Sequence, residues 1–338
     1  MRKKDERQRG GIHLKKKTLL GTDLNVSAVC LGTGKYGDVV SEREALDLLW
    51  RYAENGGNFI DTANVYGKWC EIPDNYSEKI LGKFLREYPN KNQLIISTKG
   101  GHPPIHNKTE SRLSEQEVRK DLEESLRTLG KETIDIYWLH RDDPTIPVER
   151  LIEMLETFKR EGKIRYYGCS NWTEDRIRAA QSYAKKEQVR GFIAVQNRWS
   201  LARVEQKNLA DSTLQVVDQR FYHFLKESDQ NLTQVSFSAM GHGVFTKWKQ
   251  NCVLPLKIER EYQSGINKKR LQAVTELAQT LDCSIASLVL AWQINKSVVH
   301  AIPIAMPTKR DQLEDLFHAG EMSLTAQQVE KLDCGEEW

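Results

Sequence analysis

The sequence predicts an α/β protein, a (β/α)8 TIM barrel with long loops on its C-terminal face and a short N-terminal extension. Three observations carry this expectation. Eight short apolar runs alternate with longer amphipathic stretches between about residues 26 and 320. Strands that alternate with helical patterns imply βαβ units and a parallel sheet, and eight is the strand number that closes a barrel. Finally, residues suited to proton chemistry fall at the ends of consecutive runs, on the barrel face where side chains from different strands converge.

The runs lie at 26–31, 58–61, 94–98, 134–139, 164–169, 192–196, 232–237 and 298–303. Helical patterns separate them. The first, 41–53, opens with Ser41 and has Glu44 three residues on, the spacing of a capping box. Ser114 and Glu117 repeat that spacing at the start of 114–129, which stops at Gly130, a residue suited to the left-handed C-cap. Residues 148–161 follow Pro147 and stop at Gly162. Further patterns cover 173–185, 268–281, 284–295 and 309–318. Residues 1–22 read as an extension, with a hairpin expected over 11–20, and residues 23–338 as the barrel. The competitor is a doubly wound open sheet, which usually carries GxGxxG after an early strand. Here Gly32-Thr33-Gly34-Lys35-Tyr36-Gly37 has that spacing after the first run, a weak signal because Gly is common in a βα turn. The least regular stretches, 198–216 and 239–267, both follow strands and are expected to be loops on the catalytic face.

Composition narrows the function. The chain has 338 residues, a length that α/β barrels reach as one domain. Fifty Lys and Arg nearly balance 47 Asp and Glu, leaving a formal charge of +3, too small to imply a nucleic-acid partner. The basic residues at the start lack the apolar run of a signal peptide. No stretch of about 18 apolar residues suggests a transmembrane helix. The six cysteines show no CxxC spacing and read as reduced thiols. The eight histidines show no HExxH motif, so no metal is expected. A cytoplasmic protein without a membrane partner is the expectation.

Asp61 ends the second run and Tyr66 sits just beyond it. Lys99 immediately follows the third and His140 the fourth. Reducing a carbonyl needs hydride at carbon and a proton at oxygen. Tyr66 can give that proton, although a free phenol ionises only at about pH 10. A nearby ammonium favours the phenolate, and Lys99 would supply it, held by Asp61. His140 could donate a hydrogen bond to the carbonyl oxygen. Each residue alone has a plainer reading. Asp61 could cap a helix, Tyr66 could be packing, Lys99 an exposed loop charge, and His140 a satisfied strand-end histidine. Four together at three adjacent strand ends are hard to explain as packing.

The segments GGNFIDTANVYG, SEKILGKFL, IISTKGG, LEESLRTLGKETIDIYWLHRDD and GKIRYYGCSN carry a specific resemblance. With VQNRWSL, FSAMGHGVFTKW and IPIAMPTKRDQLEDL, they resemble the aldo-keto reductase family in order and spacing over nearly the whole chain. By position, Asp61, Tyr66, Lys99 and His140 match the family's catalytic tetrad, with Tyr66 as general acid. The resemblance implies NADPH or NADP+ bound in an extended conformation without a Rossmann fold, NADH being less favoured. It implies that Ser170, Asn171 and Gln196 hold the nicotinamide carboxamide. Phe237 would stack on the ring where the family usually has Tyr. Ser238 and residues 239–244 would follow the pyrophosphate. Thr33, Gly34 and Gln312 join the cofactor set, and Thr308 and Lys309 would grip the 2′-phosphate, with Arg310 beside them. A dianion at a helix start gains charge pairing and free N–H groups. The chain departs from the family at Met306 and Pro307, usually Gly and Thr, and at Leu316, usually an adenine-contacting Asn. Without the resemblance, Ser170-Asn171 reads equally as a helix cap, and 308–310 as an ordinary helix start.

The expected partner is a small carbonyl compound, or in reverse its alcohol; oligomeric state is left open. Loops 68–75, 101–113 and 141–147 would shape specificity, and their mix of polar and aromatic residues leans toward a sugar or polyol over a steroid. Trp69, Trp172 and Trp199 could wall the substrate or pack beneath loops. Asp142 and Asp143 are expected to orient Arg141 or bind a substrate hydroxyl. Two other functions compete. A cofactor-sensing regulatory subunit, as in the potassium-channel β subunit, would share the tetrad. A barrel hydrolase would need a pair of carboxylates at facing strand ends.

Overall fold

A computed structural model describes residues 14–71, 74–227 and 231–336. The chain starts with an antiparallel hairpin, β1 (Lys16–Thr18) and β2 (Asn25–Ser27). Residues 11–13 of the expected hairpin lie outside the described residues, and the second strand falls beyond the expected boundary at 22. The apolar run 26–31 is therefore divided. Its first residues belong to the hairpin, and its end begins the barrel as β3 (Cys30–Gly32).

The chain then alternates α1 (Glu42–Glu54), β4 (Phe59–Asp61), α2 (Tyr76–Glu87), β5 (Ile95–Gly100), α3 (Glu115–Leu129), β6 (Ile134–Leu139), α4 (Val148–Arg160), β7 (Ile164–Ser170), α5 (Glu174–Lys186), β8 (Ala194–Gln196), α6 (Gln219–Lys226) and β9 (Thr233–Ser236). Four helices follow: α7 (Val244–Lys249), α8 (Leu256–Tyr262), α9 (Gly265–Thr280) and α10 (Ile285–Ile294). The chain finishes with β10 (Ala301–Ala305), α11 (Arg310–Glu321) and α12 (Ala326–Asp333). Strands β3 to β10 form a closed parallel barrel in which β10 pairs with both β9 and β3. Closure removes the open-sheet alternative.

The helix starts follow their caps. Ser41 and Glu44 complete a capping box on α1, and Ser114 accepts from Glu117 N on α3, which ends at Gly130 with φ 66°. The stretch 239–267 is not irregular, because it holds α7, α8 and the start of α9. These short helices start without a side-chain cap, α8 after Pro255 and α7 after left-handed Gly243. Among the described residues no single helix is long and apolar enough to cross a membrane. The pair α9 and α10 has the length and composition together, but bends by 101° between them.

Inside the barrel, side chains alternate with period two, as a pleated strand requires. Cys30, Phe59, Ile136, Trp138, Ala194, Val235 and Ile302 form the interior, and Leu19, Leu24 and Val26 of the hairpin segment pack onto it. A larger apolar layer lies between the strands and the helices. Tyr52 of α1 ties the hairpin to the barrel. Its hydroxyl lies 2.6 Å from Ser27 Oγ and 2.9 Å from the carbonyls of Val29 and Phe59, and it is fully buried.

Removing that hydroxyl leaves three buried polar atoms short of a partner. Tyr52→Phe is expected to lower stability by about 1–3 kcal/mol. Urea unfolding of the two proteins measures this; equal midpoints would show that the hydroxyl holds nothing in place.

Candidate active site

Several interior rows end in polar residues above apolar ones. Going up β5, Ile95, Ser97 and Lys99 share the inward face; on β6, Ile136 and Trp138 are followed by His140 just past the strand. The register places Asp61 opposite Ser97 and Lys99 opposite Trp138. The period-two rule thus brings Asp61, Lys99, His140, Ser170, Gln196 and Phe237 to one mouth.

Lys99 Nζ lies 2.5 Å from Asp61 Oδ2, 2.7 Å from the Thr62 carbonyl and 3.4 Å from the Tyr66 hydroxyl. All three ammonium protons have partners. Lys99 is only 1% exposed, so it is not a loop charge. Burial alone would lower its pKa, but Asp61 and Tyr66 outweigh burial and hold it above the usual lysine value. Asp61 caps no helix. It also accepts from Ser97 Oγ at 2.6 Å and Gln196 Nε2 at 3.1 Å.

His140 donates its backbone N–H to the Gly100 carbonyl at 2.9 Å. Burial, then His102, Arg141 and Lys99, push its pKa well below the ordinary histidine value, so the ring is neutral at pH 7. Its Nδ1 is buried without a partner among the described residues. The His102 and His140 rings meet edge to face at 4.7 Å, and Tyr66 stands 6.0 Å from His140. Tyr66 is half-buried, and Trp69 packs against it at 5.7 Å.

Asp61, Tyr66, Trp69, His102 and His140 line a cavity of about 260 Å³ together with Thr33, Ser170, Asn171, Phe237 and Ser238. Among the described residues Asp61 is its one carboxylate, which removes the basis of the hydrolase alternative. Val65, Trp69 and Leu214 give it apolar walls. Asn171 and Ser238 hold left-handed backbone, φ 63° and 51°, costly for non-glycine residues. Asn171 Nδ2 donates to the His140 carbonyl and to Ser170 Oγ, while its Oδ1 accepts from Gln215 N. Ser170 Oγ donates to the Gln196 carbonyl. Gly34 lies beside the cavity, and a Cβ there would stand 3.3 Å from the Tyr66 ring and from Met306 Sδ.

Thr308, Lys309 and Gln312 sit apart, at the start of α11. A second depression of about 700 Å³ includes Arg43, Asp47, Thr308, Lys309 and Arg310. Gln312 Oε1 accepts from Thr308 N and Oγ1 at 2.8 and 3.1 Å. Arg310 is engaged with Asp47 through a fork of 2.8 and 2.5 Å. Exposed Lys309 forms no ion pair among the described residues.

Asp142 does not orient Arg141; it pairs with Arg176 at 2.9 Å, and Asp143 accepts from Thr145. Trp172 and Trp199 are buried under loops, whereas Trp69 is 41% exposed at the cavity rim. His102, Arg141 and Leu214 line the cavity without a role assigned from sequence. The first two carried a signal, since both lie just past strand ends. Loops 101–113 and 198–216 are linked by a Lys108–Asp211 bridge of 2.6 Å. No group of three or more His, Cys, Asp or Glu among the described residues could hold a metal. No cysteine is disulfide-bonded.

A family model described as "Aldo/keto reductase family" matches residues 28–335. The chain is 29% identical over 317 residues to "Uncharacterized oxidoreductase YrpG" of Bacillus subtilis (strain 168), covering 91% of each protein. It is 27% identical over 308 residues to "Aldo-keto reductase" of Gibberella moniliformis, covering 88% of this chain and 85% of that one. It is 22% identical over 326 residues to "Aryl-alcohol dehydrogenase GME11368" of Pestalotiopsis microspora, covering 92% and 79%.

Burial and then Arg141 lower His102 from 6.5 to about 4. The unfolded chain therefore takes up the proton first. The stability this residue contributes is fully present above about pH 6.5 and is lost as pH falls toward 4. Wild-type protein should lose more stability between pH 7 and pH 5 than His102→Gln, by on the order of 2 kcal/mol. Urea titrations at both pH values test this, and parallel losses would refute it.

Proposed function

The chain belongs to the aldo/keto reductase family, and from that premise we propose that it is an NADPH-dependent reductase of aldehydes, ketones or sugar carbonyls, with Tyr66 as general acid. As a member it is an oxidoreductase acting on carbonyl or alcohol groups, and the family generally uses nicotinamide cofactors. The main support for the finer reading is the placement of one ammonium, because Lys99 Nζ spans Asp61 and the Tyr66 hydroxyl, both of which line an apolar-walled cavity.

The residues present fit a nicotinamide. Phe237 offers a flat face, and Ser170, Asn171 and Gln196 bring polar atoms to the same cavity. These residues would hold the ring, with Thr33, Gly34 and Ser238 beside it. Thr308, Lys309 and Gln312 would receive the adenosine-phosphate end, where the free ammonium of Lys309 favours a 2′-phosphate. When bound, the cofactor supplies hydride to the carbonyl carbon. Tyr66 donates its proton to the carbonyl oxygen, and Lys99 stabilises the phenolate left behind. In the alcohol direction the same phenolate takes the proton back. Neutral His140 donates from Nε2, aligning the carbonyl and stabilising charge that develops on its oxygen. Asp61 keeps Lys99 charged and fixed.

Tyr66→Phe is expected to lower kcat by about 10²–10⁴-fold in NADPH oxidation with a panel of aromatic aldehydes, diketones and aldoses. Tight NADPH binding without turnover on any of them would favour a cofactor-sensing regulatory subunit instead. Lys309→Met should raise the KM for NADPH about tenfold, the equivalent of one charge-assisted contact, and shift the KM for NADH far less. Equal shifts for both cofactors would remove the phosphate role.

A further inference from the structure

One cation in the cavity has no partner in the reaction just described. Arg141 follows His140 and lines the same cavity, yet it is only 8% exposed. Its Nε donates to Thr213 Oγ1 at 3.1 Å and its Nη1 to the His140 carbonyl at 2.8 Å. Its Nη2 donates to no described residue. No carboxylate lies within ion-pair distance of it among the described residues. The contrast with Arg198 is direct, since that buried guanidinium is held by Glu261 at 2.8 Å. Asp211 is the acid that acts on Arg141 through space. Its carboxylate is already occupied by Lys108 at 2.6 Å, by Thr213 Oγ1 at 2.6 Å and by Thr213 N at 3.1 Å.

The other charges of the cavity cancel. Lys99 offsets Asp61, and burial keeps His102 and His140 neutral at pH 7. Arginine stays protonated in proteins, so the cavity carries one uncompensated positive charge. A buried charge without a counter-charge is costly, and a ligand that brings an anion removes the cost. Guanidinium edges match carboxylates in shape and hydrogen-bond spacing.

We propose that Arg141 makes this site selective for carbonyl substrates that carry a carboxylate, joined to the carbonyl by a short apolar spacer such as an aromatic ring. The spacer packs against Val65, Trp69 and Leu214, the carbonyl oxygen reaches Tyr66 and His140, and the carboxylate meets Arg141. The proposal rests on the reductase reading above and specifies its substrate class. Arg141 thereby acts on binding rather than on proton transfer.

The test compares 4-carboxybenzaldehyde with 4-formylbenzamide, which has nearly the same shape and no charge. Steady-state NADPH oxidation gives KM and kcat for both. Binding of both to NADPH-loaded Tyr66→Phe, measured by calorimetry, gives affinities that do not depend on turnover. Wild-type protein should favour the carboxylate at least tenfold in KM, and Tyr66→Phe should do so in affinity. Arg141→Met should reduce that preference at least tenfold, and Arg141→Lys should retain part of it. The absence of a preference in the wild-type protein and in Tyr66→Phe overturns the proposal even if Arg141→Met does not fold. A preference that survives Arg141→Met also overturns it. If neither compound is reduced but the charged one binds selectively through Arg141, the reductase reading fails while the anion subsite stands.

Discussion

The buried pair of Lys99 and Asp61 is the constraint on which the rest of the site depends. Placing two charges inside a barrel costs several kcal/mol per ion unless their remaining hydrogen-bonding capacity is met. Here it is met. Ser97 and Gln196 complete the carboxylate, and the Thr62 carbonyl and Tyr66 complete the ammonium. Gln196 comes from β8, on the far side of the barrel from β4 and β5. The pair therefore fixes the mouth across its width, and it fixes where Tyr66 can stand although Tyr66 is on a loop.

The same rows of residues serve packing below and chemistry above. In the middle of the barrel Trp138 fills the space, and Gly168 on the next strand makes room for it. A Cβ on Gly168 would stand 2.4 Å from the indole. Two residues farther along each strand the partners are His140 and Ser170. Large apolar side chains below exclude water from beneath the ion pair, which strengthens its electrostatics. The polar mouth is thus a continuation of the core packing, one pleat higher.

Much of this was legible in the sequence. Strand ends mark the mouth of a parallel barrel, so Asp61, Lys99 and His140 could be placed together before any coordinates. Ser41 and Ser114 announce their helices through capping residues at fixed spacing. What stayed hidden had weaker or longer-range causes. Helix α2 begins at Asn75 without a side-chain cap bond, so its start carried little signal. The division of run 26–31 between two sheets depends on Tyr52 and Asn58, which bond Ser27 from elsewhere in the chain. Gln196 holding Asp61 links residues 135 positions apart. The capture of Asp142 by Arg176 rather than Arg141 depends on how α5 packs beside the loop, which spacing does not encode. Helix α12 is absent from the helical patterns of the sequence, although Thr325 and Gln328 form a capping box at its start.

The pairing of β10 with β3 also bears on how the chain is made. These two strands close the barrel, yet Leu31 and Ala305 are at opposite ends of the sequence. At a synthesis rate of about 5–20 residues per second, the first waits on the order of tens of seconds for the second to leave the ribosome. During that interval β3 has one neighbour only, and its other edge presents unpaired backbone groups, the kind of edge that invites wrong pairing. The strand is three residues long, which limits what such an edge can attract. A brief, incomplete template at the seam suits a barrel that can close only after β10 has been made.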